Sequence, residues 1–511
     1  MCARERGWST VDEPVKRPSV NPLDKLSRLA RRAGMIRSRG LNDRQFTAVS
    51  AGLGLALAAG VVLAAGPWDS GQRKAERDWA AARNGTGGAH HESAAPSGPA
   101  PAPSAPAVLA ALSAAVDNSA PDTRDTPDSA AAALRAALGP LLKDPALGER
   151  RAAVVIDTAS GERLYGQGAG TPMTPASTVK IATAVAALSA LGPDHRIATT
   201  VRASPDFRRL TLVGGGDPVL DRAALRGLAT DTARVLKDHG VEKARLAYDT
   251  SRYSGPARHP IGPNENIAPV SALMTDEGRL DDTTSGPAPR SDDPAGDTAR
   301  AFAELLDDAG IDTAAEPKPG RPATGSRKVA EHRSVPLSAL VERALTNSDN
   351  DIAEALARQT ALAAGEPADF AGGRRAVTAQ LRKLKLPLTG ADFADGSGLN
   401  RKDKVTAGLL AGLLARAADP DHPELRPVLT GLPVAGFSGT LSDRFTGKSG
   451  GTGLIRAKTG TLTGVNTLAG TVVDRQGRLL AFAFLASGTT SPSEAQTALD
   501  TLATTLASGT G

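Results

Sequence analysis

A serine hydroxyl is a weak nucleophile at neutral pH unless a base stands within hydrogen-bond reach and donors face the oxyanion that develops. Ser177 and Lys180 meet the first demand by spacing. Positions i and i+3 share one face of a helix, and a serine in the first turn sits where free N–H groups and the positive end of the dipole point outward. A lysine acts as a base only when burial or a nearby cation lowers its pKa, and Lys458 is the candidate cation. One S-x-x-K match is weak by itself, because an exposed serine beside a solvated lysine has the same spacing. Two further elements follow it in order: Ser348-Asp349-Asn350 in a helical stretch, and Lys458-Thr459-Gly460-Thr461 on an expected strand. Each also has a bland reading, a helix N-cap at Ser348 and a turn at Thr459-Gly460. The three together, in this order, form the S-x-x-K, S-D-N, K-T-G set of an acyl-transfer site.

Other chemistries find no residues to carry them. The single cysteine, Cys2, has no internal partner, and the seven histidines lie in neither H-E-x-x-H nor Cys-paired zinc spacing, so no metal or other cofactor is expected. No G-x-S-x-G elbow occurs. A formal charge of +5 on 511 residues, with 3% aromatic residues, offers little to nucleic acid, which is not expected as a partner.

The elements that must position the three motifs lie after about residue 128. An alanine-rich helix (SAAAALRAALGPLL) precedes AAVVIDTASGERLYGQG, a β-hairpin turning at Ser160-Gly161. Pro172 and Pro175 then permit a helix that runs for four turns and stops at Gly192. Near the C-terminus, IRAKTGTL, a second hairpin (NTLAGTVVDRQGRLLAFAFLA) and a helix opened by the capping box Ser491-Pro492-Ser493-Glu494 mirror the start. Strands at both ends suggest one α/β lobe closed by the two chain ends. Residues 205–335 change texture to short apolar runs broken by Gly, Pro and Asp, an inserted lobe or extended loops, with 281–297 expected as a mobile surface loop. Asp217 reads as a turn or cap residue.

Residues 46–66 carry no charge and, at about 1.5 Å per residue, span a hydrocarbon core of roughly 30 Å. Arg31, Arg32, Arg37, Arg39 and Arg44 precede this run and Asp69 follows it, which keeps 1–45 in the cytoplasm and puts the rest outside. The run is either a single-pass membrane anchor or a cleaved signal peptide, for which Ala64 and Ala65 supply small residues and Met35 an alternative start. Residues 67–127, rich in Ala, Pro, Ser and Gly, read as a disordered tether with an r.m.s. span of roughly 40 Å.

On the three motifs, and on Leu212-Val213-Gly214-Gly215-Gly216-Asp217-Pro218, Asp249-Thr250-Ser251 with Tyr253-Ser254-Gly255-Pro256, Ala268-Pro269-Val270-Ser271-Ala272-Leu273 and Asp395-Gly396-Ser397-Gly398-Leu399, the chain resembles a known family. It is similar, over about 130–508, to the DacB-type D-Ala-D-Ala carboxypeptidase/endopeptidases, the class C low-molecular-mass penicillin-binding proteins. The separation of 171 positions from Ser177 to Ser348 matches the family's insertion but is shorter than in full-size relatives, which implies reduced accessory lobes.

The resemblance implies an α/β (α+β) penicillin-binding/β-lactamase-like transpeptidase fold, an antiparallel sheet flanked by helices with a helical lobe. The catalytic domain would comprise 128–204 and 336–511, interrupted by an accessory lobe over 205–335. It further implies that Ser177 attacks the penultimate D-alanine carbonyl of a peptidoglycan stem peptide while Lys180 takes its proton. Ser348 and Asn350 would relay a proton to the leaving amine and hold the lysine. The amides of Ser177 and Thr461 would form the oxyanion hole, and Lys458, Thr459 and Thr461 of the K-T-G strand, which includes Gly460, would bind the terminal carboxylate. β-Lactams are implied as inhibitors. A β-lactamase with the same three motifs and a non-catalytic penicillin-sensing or wall-binding module are the competing readings.

Overall fold

The computed structural model describes residues 127–313, 315–446 and 449–508. The expectations for 1–45, for the apolar run 46–66 and for nearly all of the tether lie outside the described residues; among those described, no helix is long and apolar enough to cross a membrane. The elements in chain order are α1 (Pro127–Leu141), β1 (Arg150–Asp157), β2 (Arg163–Gln167), α2 (Lys180–Leu191), β3 (Ala198–Ala203), β4 (Arg209–Val213), α3 (Arg222–Asp238) and β5 (Arg245–Asp249). They continue through α4 (Pro294–Asp308), β6 (Lys318–Pro319), β7 (Arg327–Arg333), α5 (Leu337–Thr346), α6 (Asn350–Ala363), α7 (Phe370–Lys383) and α8 (Ala407–Ala418). The last are α9 (Pro427–Thr430), β8 (Ile455–Leu462), β9 (Val465–Val473), β10 (Leu479–Ser487) and α10 (Pro492–Ser508).

Both chain ends build one antiparallel sheet in the order β2-β1-β10-β9-β8. Its β1–β10 ladder runs from Arg150↔Ser487 to Asp157↔Leu480, so the first strand is held by the last. Alternation along the strands feeds two cores. Val155, Phe482 and Phe484 pack with α1 and α10 on one face, while Val154, Ala481 and Ala483 pack with α2, α5 and α8 on the other. A helix apolar on all sides belongs inside such a core, and α2 is buried from Lys180 through Leu188.

The segment between the first two motifs forms a second, mixed sheet, β6-β5-β4-β3-β7, with its own core under α3 and α4. The glycine triplet fastens it to the helices. A Cβ on Gly214 would stand 2.3 Å from the Ala272 carbonyl oxygen, and one on Gly216, at φ 98°, would meet the Tyr253 hydroxyl at 2.2 Å. That close approach lets Gln359 of α6 donate to the Gly215 carbonyl at 2.8 Å.

Three local expectations are corrected. The nucleophile's helix does not open at Ser177: a 3-10 turn (Ala176–Val179) precedes α2, which runs three turns rather than four. Asp349, not Ser348, caps α6, accepting from the Ile352 amide, and Ser348 lies at φ 59°. Residues 281–297 are not a loose loop, because the Arg279 guanidinium donates to Thr283, Ser285 and Gly286, and Asp293 caps α4 from Pro294 onward.

Candidate active site

Ser177 sits on its 3-10 turn beside Ala176, a buried residue at φ 49°. Positive φ costs a non-glycine residue about 1–3 kcal/mol and persists only where packing enforces it. The enforcement comes from two glycines: a Cβ on Gly398 would lie 2.0 Å from the Ala176 carbonyl oxygen, and one on Gly460 would lie 2.7 Å from that of Pro175. Thr178 and Thr467 both donate their hydroxyls to the same Pro175 carbonyl at 2.8 Å, pinning the turn to β9.

One turn further, Lys180 is 1% exposed and its Nζ meets three oxygens: Ser177 Oγ at 2.9 Å, Asn350 Oδ1 at 2.7 Å and the Ser397 carbonyl at 2.6 Å. Two of these only accept. A neutral amine satisfies them with its two N–H bonds, and its lone pair is left facing the one partner that can donate, the serine hydroxyl. Burial pulls the Lys180 pKa down to about 8, against the opposing pull of Asp395, Asp349, Glu354 and Asp403. Of the two causes the sequence allows, burial or the candidate cation Lys458, burial is the one that lowers Lys180. Lys458 is itself fully buried, donates to the Thr459 carbonyl at 2.8 Å, and is held well below the ordinary lysine value by burial and by the Lys180 charge.

A cleft of about 290 Å³ opens over Ser177. Of the sequence-derived candidates, Ser177, Ser348, Asn350 and Thr461 line it. Lys180 stands beneath Ser177, Thr459 turns its hydroxyl to Thr440 at 2.8 Å, and Gly460 provides the close contact with the serine turn. Lys458 lies behind this wall rather than in it.

Several wall residues escaped sequence reading. Asn266, Arg279, Gly286 and Arg290 come from the inserted segment, and Thr440 from a 3-10 turn (Gly439–Leu441). Asn350 is braced by one of these, donating its Nδ2 to the Asn266 carbonyl at 2.9 Å. The Ser397 carbonyl had no signal as an acceptor, although Asp395-Gly396-Ser397-Gly398-Leu399 had stood out as a segment. It is aimed by two buried acids. Glu354 accepts from the amides of Gly396 and Ser397 at 2.9 and 3.0 Å, and Asp395 accepts from those of Ser397, Gly398 and Asn400 and from His259 Nε2 at 2.9 Å. Burial opposes ionisation of Asp395, yet the hydrogen bonds from His259, Asp403 and the Gly398 amide hold its carboxyl down to about 2. Asp403 is pushed up to about 10 by burial and by the Asp395 charge.

Among the described residues, two clusters have the proximity a cation needs: His259, Glu354 and Asp395, and Glu277, Asp349 and Asp351. Most of their oxygens already face donors, while Glu354 Oε2 and Asp351 Oδ2 accept no hydrogen bond and meet only the Arg358 and Arg290 guanidiniums. Backbone amides and Arg358 meet the first group; Arg279, Arg290 and Arg343 meet Glu277 and Asp351 in the second. Donors in these numbers fit acids that fix loops, not a metal centre.

A base beneath a nucleophile, an amide-bearing strand edge beside it and a polar cleft above it are the parts of an acyl-transfer site. Similarity to known proteins agrees. The D-Ala-D-Ala carboxypeptidase 3 (S13) family matches residues 134–289 and 281–508. A carboxypeptidase of Mycobacterium tuberculosis is 38% identical over 426 residues, covering 80% of this chain and 89% of the relative. A D-alanyl-D-alanine carboxypeptidase of Actinomadura sp. is 28% identical over 443 residues, covering 70% and 82%. In fold, the crystal structure of penicillin binding protein 4 from Haemophilus influenzae superposes with a TM-score of 0.60 at 23% identity, over 73% of this chain and 97% of that one. The chain belongs to the D-Ala-D-Ala carboxypeptidase 3 (S13) family, a family of serine-type, penicillin-binding peptidases.

Proposed function

We propose that this serine-type D-Ala-D-Ala carboxypeptidase works through an acyl-enzyme on Ser177, with Lys180 as base. The observation that carries the reading is the three-oxygen environment of Lys180 Nζ, in which only Ser177 Oγ can give up a proton. Ser177 Oγ attacks the penultimate D-alanine carbonyl of a peptidoglycan stem and its proton passes to Lys180. The oxyanion is met by the amides of Ser177 and Thr461. As the C–N bond breaks, the proton moves by way of Ser348 to the departing D-alanine amine, and water later releases the acyl group.

Thr461 and Thr440, which line the cleft, are the hydroxyls suited to the terminal carboxylate, and the buried Lys458 stands on the same strand as Thr461. Cleavage of cross-linked stems, the endopeptidase reaction, uses the same acylation. The apolar run 46–66 and its basic flank support a placement of the catalytic region outside the cell membrane, either anchored or released.

Intact-protein mass spectrometry with a penicillin, beside a D-alanine release assay on a pentapeptide stem, tests the reading. A lasting adduct on Ser177 with D-alanine release supports it. A fleeting adduct with rapid β-lactam hydrolysis would make the chain a β-lactamase. No adduct, or D-alanine release surviving Ser177→Ala, would end the proposal.

A further inference from the structure

The inserted lobe carries a groove of about 670 Å³ that shares no residue with the cleft over Ser177. It is lined by Arg208, Arg209, Lys243, Arg245 and Lys318 against two acids, Asp206 and Glu316. The acids are turned to other work. Asp206 accepts from Ser204 Oγ at 2.5 Å and from the Arg208 amide, and Glu316 pairs with Arg300 at 3.3 Å. Lys243 is paired with Asp312 at 2.7 Å. Arg208, Arg209, Arg245 and Lys318 have no side-chain ion pair among the described residues.

Strand pairing forces these charges together. Arg209 of β4 is the register partner of Arg245 of β5, and the Arg245 amide donates to the Arg208 carbonyl at 2.9 Å. The next pair along the ladder, Leu210 and Leu246, enters the lobe's core, so alternation sends the two arginines to the opposite face. The β4–β5 pair is parallel, and like charges at register positions on neighbouring strands repel. Asp206, in the same lining, attracts Arg209 and offsets part of that repulsion, and an anion between the guanidiniums would offset more.

We propose that this groove binds the phosphate groups of a phosphodiester-linked polyanion that carries no aromatic bases. Arginine forks suit phosphate oxygens in pairs, and an open groove with several cations suits a chain of phosphates better than a single small anion. Among the described residues no exposed aromatic side chain lines the groove, which withholds the stacking that single-stranded nucleic acid uses. Nor, among the described residues, does an exposed large apolar side chain line it, so those residues offer no anchor of the kind with which a protein surface enters a bilayer. The groove would hold the enzyme on an anionic polymer while the Ser177 cleft works on peptide.

The test titrates the full chain with a synthetic poly(glycerol phosphate) of defined length, by calorimetry, between about 50 and 200 mM salt. Binding that weakens steeply with salt is expected, and R209Q/R245Q should lose roughly tenfold or more of the affinity and lower the log–log salt slope by about 1.4. D-alanine release from a soluble pentapeptide should be unchanged in that variant, which separates failure here from failure of the peptidase reading. R208Q/K318Q, placed outside the Arg209–Arg245 pair, should show the same loss and covers the case in which the first variant is poorly folded. No binding by the wild-type chain, or undiminished binding by both variants, overturns the proposal. Tighter binding to an oligonucleotide of equal charge, or binding only to phosphatidylglycerol vesicles, overturns it as well.

Discussion

A Cβ placed on Gly460 would stand 3.1 Å from the amide nitrogen of Ser177. The strand that carries the third motif and the turn that carries the nucleophile therefore meet through a residue without a side chain. The same Cβ would lie 2.2 Å from Thr467 Oγ1, the hydroxyl that pins the serine turn through Pro175. Gly460→Ala should push β8 away from Ser177 and widen the proposed oxyanion site. Displacement of about 1 Å can cost on the order of 100-fold in rate, so penicillin acylation should slow by at least tenfold. The overpacking should lower stability by about 1–3 kcal/mol. Stopped-flow acylation and a thermal melt measure both, and an unchanged acylation rate would show that the contact has no bearing on the chemistry.

The Lys180 pKa of about 8 sets a pH profile. As a base the amine must be neutral, so kcat/KM for D-alanine release should climb with pH and level off above about 8. The linkage to stability has a definite sign. The folded value lies below the ordinary lysine value of 10.5, so the folded state carries the cost of a buried ammonium below about 8 and sheds it as pH rises toward 10.5. Lys180→Arg keeps a cation that does not deprotonate and should lower acylation by about 10²–10⁴-fold, the range for a lost general base. A profile flat from pH 6 to 10 in the wild-type enzyme would exclude Lys180 as the base.

Asn350 joins the lysine to the inserted segment, accepting from Lys180 Nζ and donating to the Asn266 carbonyl. Asn350→Ala removes one of the two acceptors that orient the amine toward Ser177. The expected result is a fall in kcat of about 10–100-fold, with the rising limb of the pH profile displaced. Asn350→Asp keeps an acceptor and adds a charge that favours the ammonium, so its limb should move to higher pH. Unmoved limbs in both variants would mean that Asn350 does not act through the lysine.

What the sequence revealed and what it hid divide along a physical line. The gathering of Ser177, Lys180, Ser348 and Asn350 at one cleft was legible because each lies in a short motif of fixed local spacing. The β1–β2 and β9–β10 hairpins were legible because strand alternation and a turn are local patterns. The Ser397 carbonyl could not be read, since every residue has one and only the fold decides where it points. The His259–Asp395 contact spans 136 positions and has no periodic trace. Residues 281–297 looked like a loose loop from composition, yet Gly286 and Arg290 line the cleft because Arg279 ties the segment down. The helix start at Ser177 was misplaced because Pro172 and Pro175 mark a beginning without distinguishing a 3-10 turn from an α-helix.

Asp395 is where that hidden part can be tested. Its carboxylate accepts from three backbone amides and from His259, and the loop it gathers presents the Ser397 carbonyl to Lys180 at 2.6 Å. Asp395→Asn replaces one of the two acceptor oxygens by an NH₂ group, which leaves donors facing donors. Each orphaned buried donor costs about 1–3 kcal/mol, so thermal stability should fall clearly. The native carboxyl is held near 2, below its ordinary 3.8, so its contribution to stability is complete above the ordinary value and is lost as pH falls from there toward 2. Wild-type protein should therefore lose stability across that window more steeply than the asparagine variant. Because the loop also sets the Ser397 carbonyl, kcat should drop as well, with the pH limb assigned to Lys180 displaced. A variant that is less stable but keeps the wild-type pH profile would make Asp395 a purely structural acid and leave the aim of the Ser397 carbonyl to Glu354.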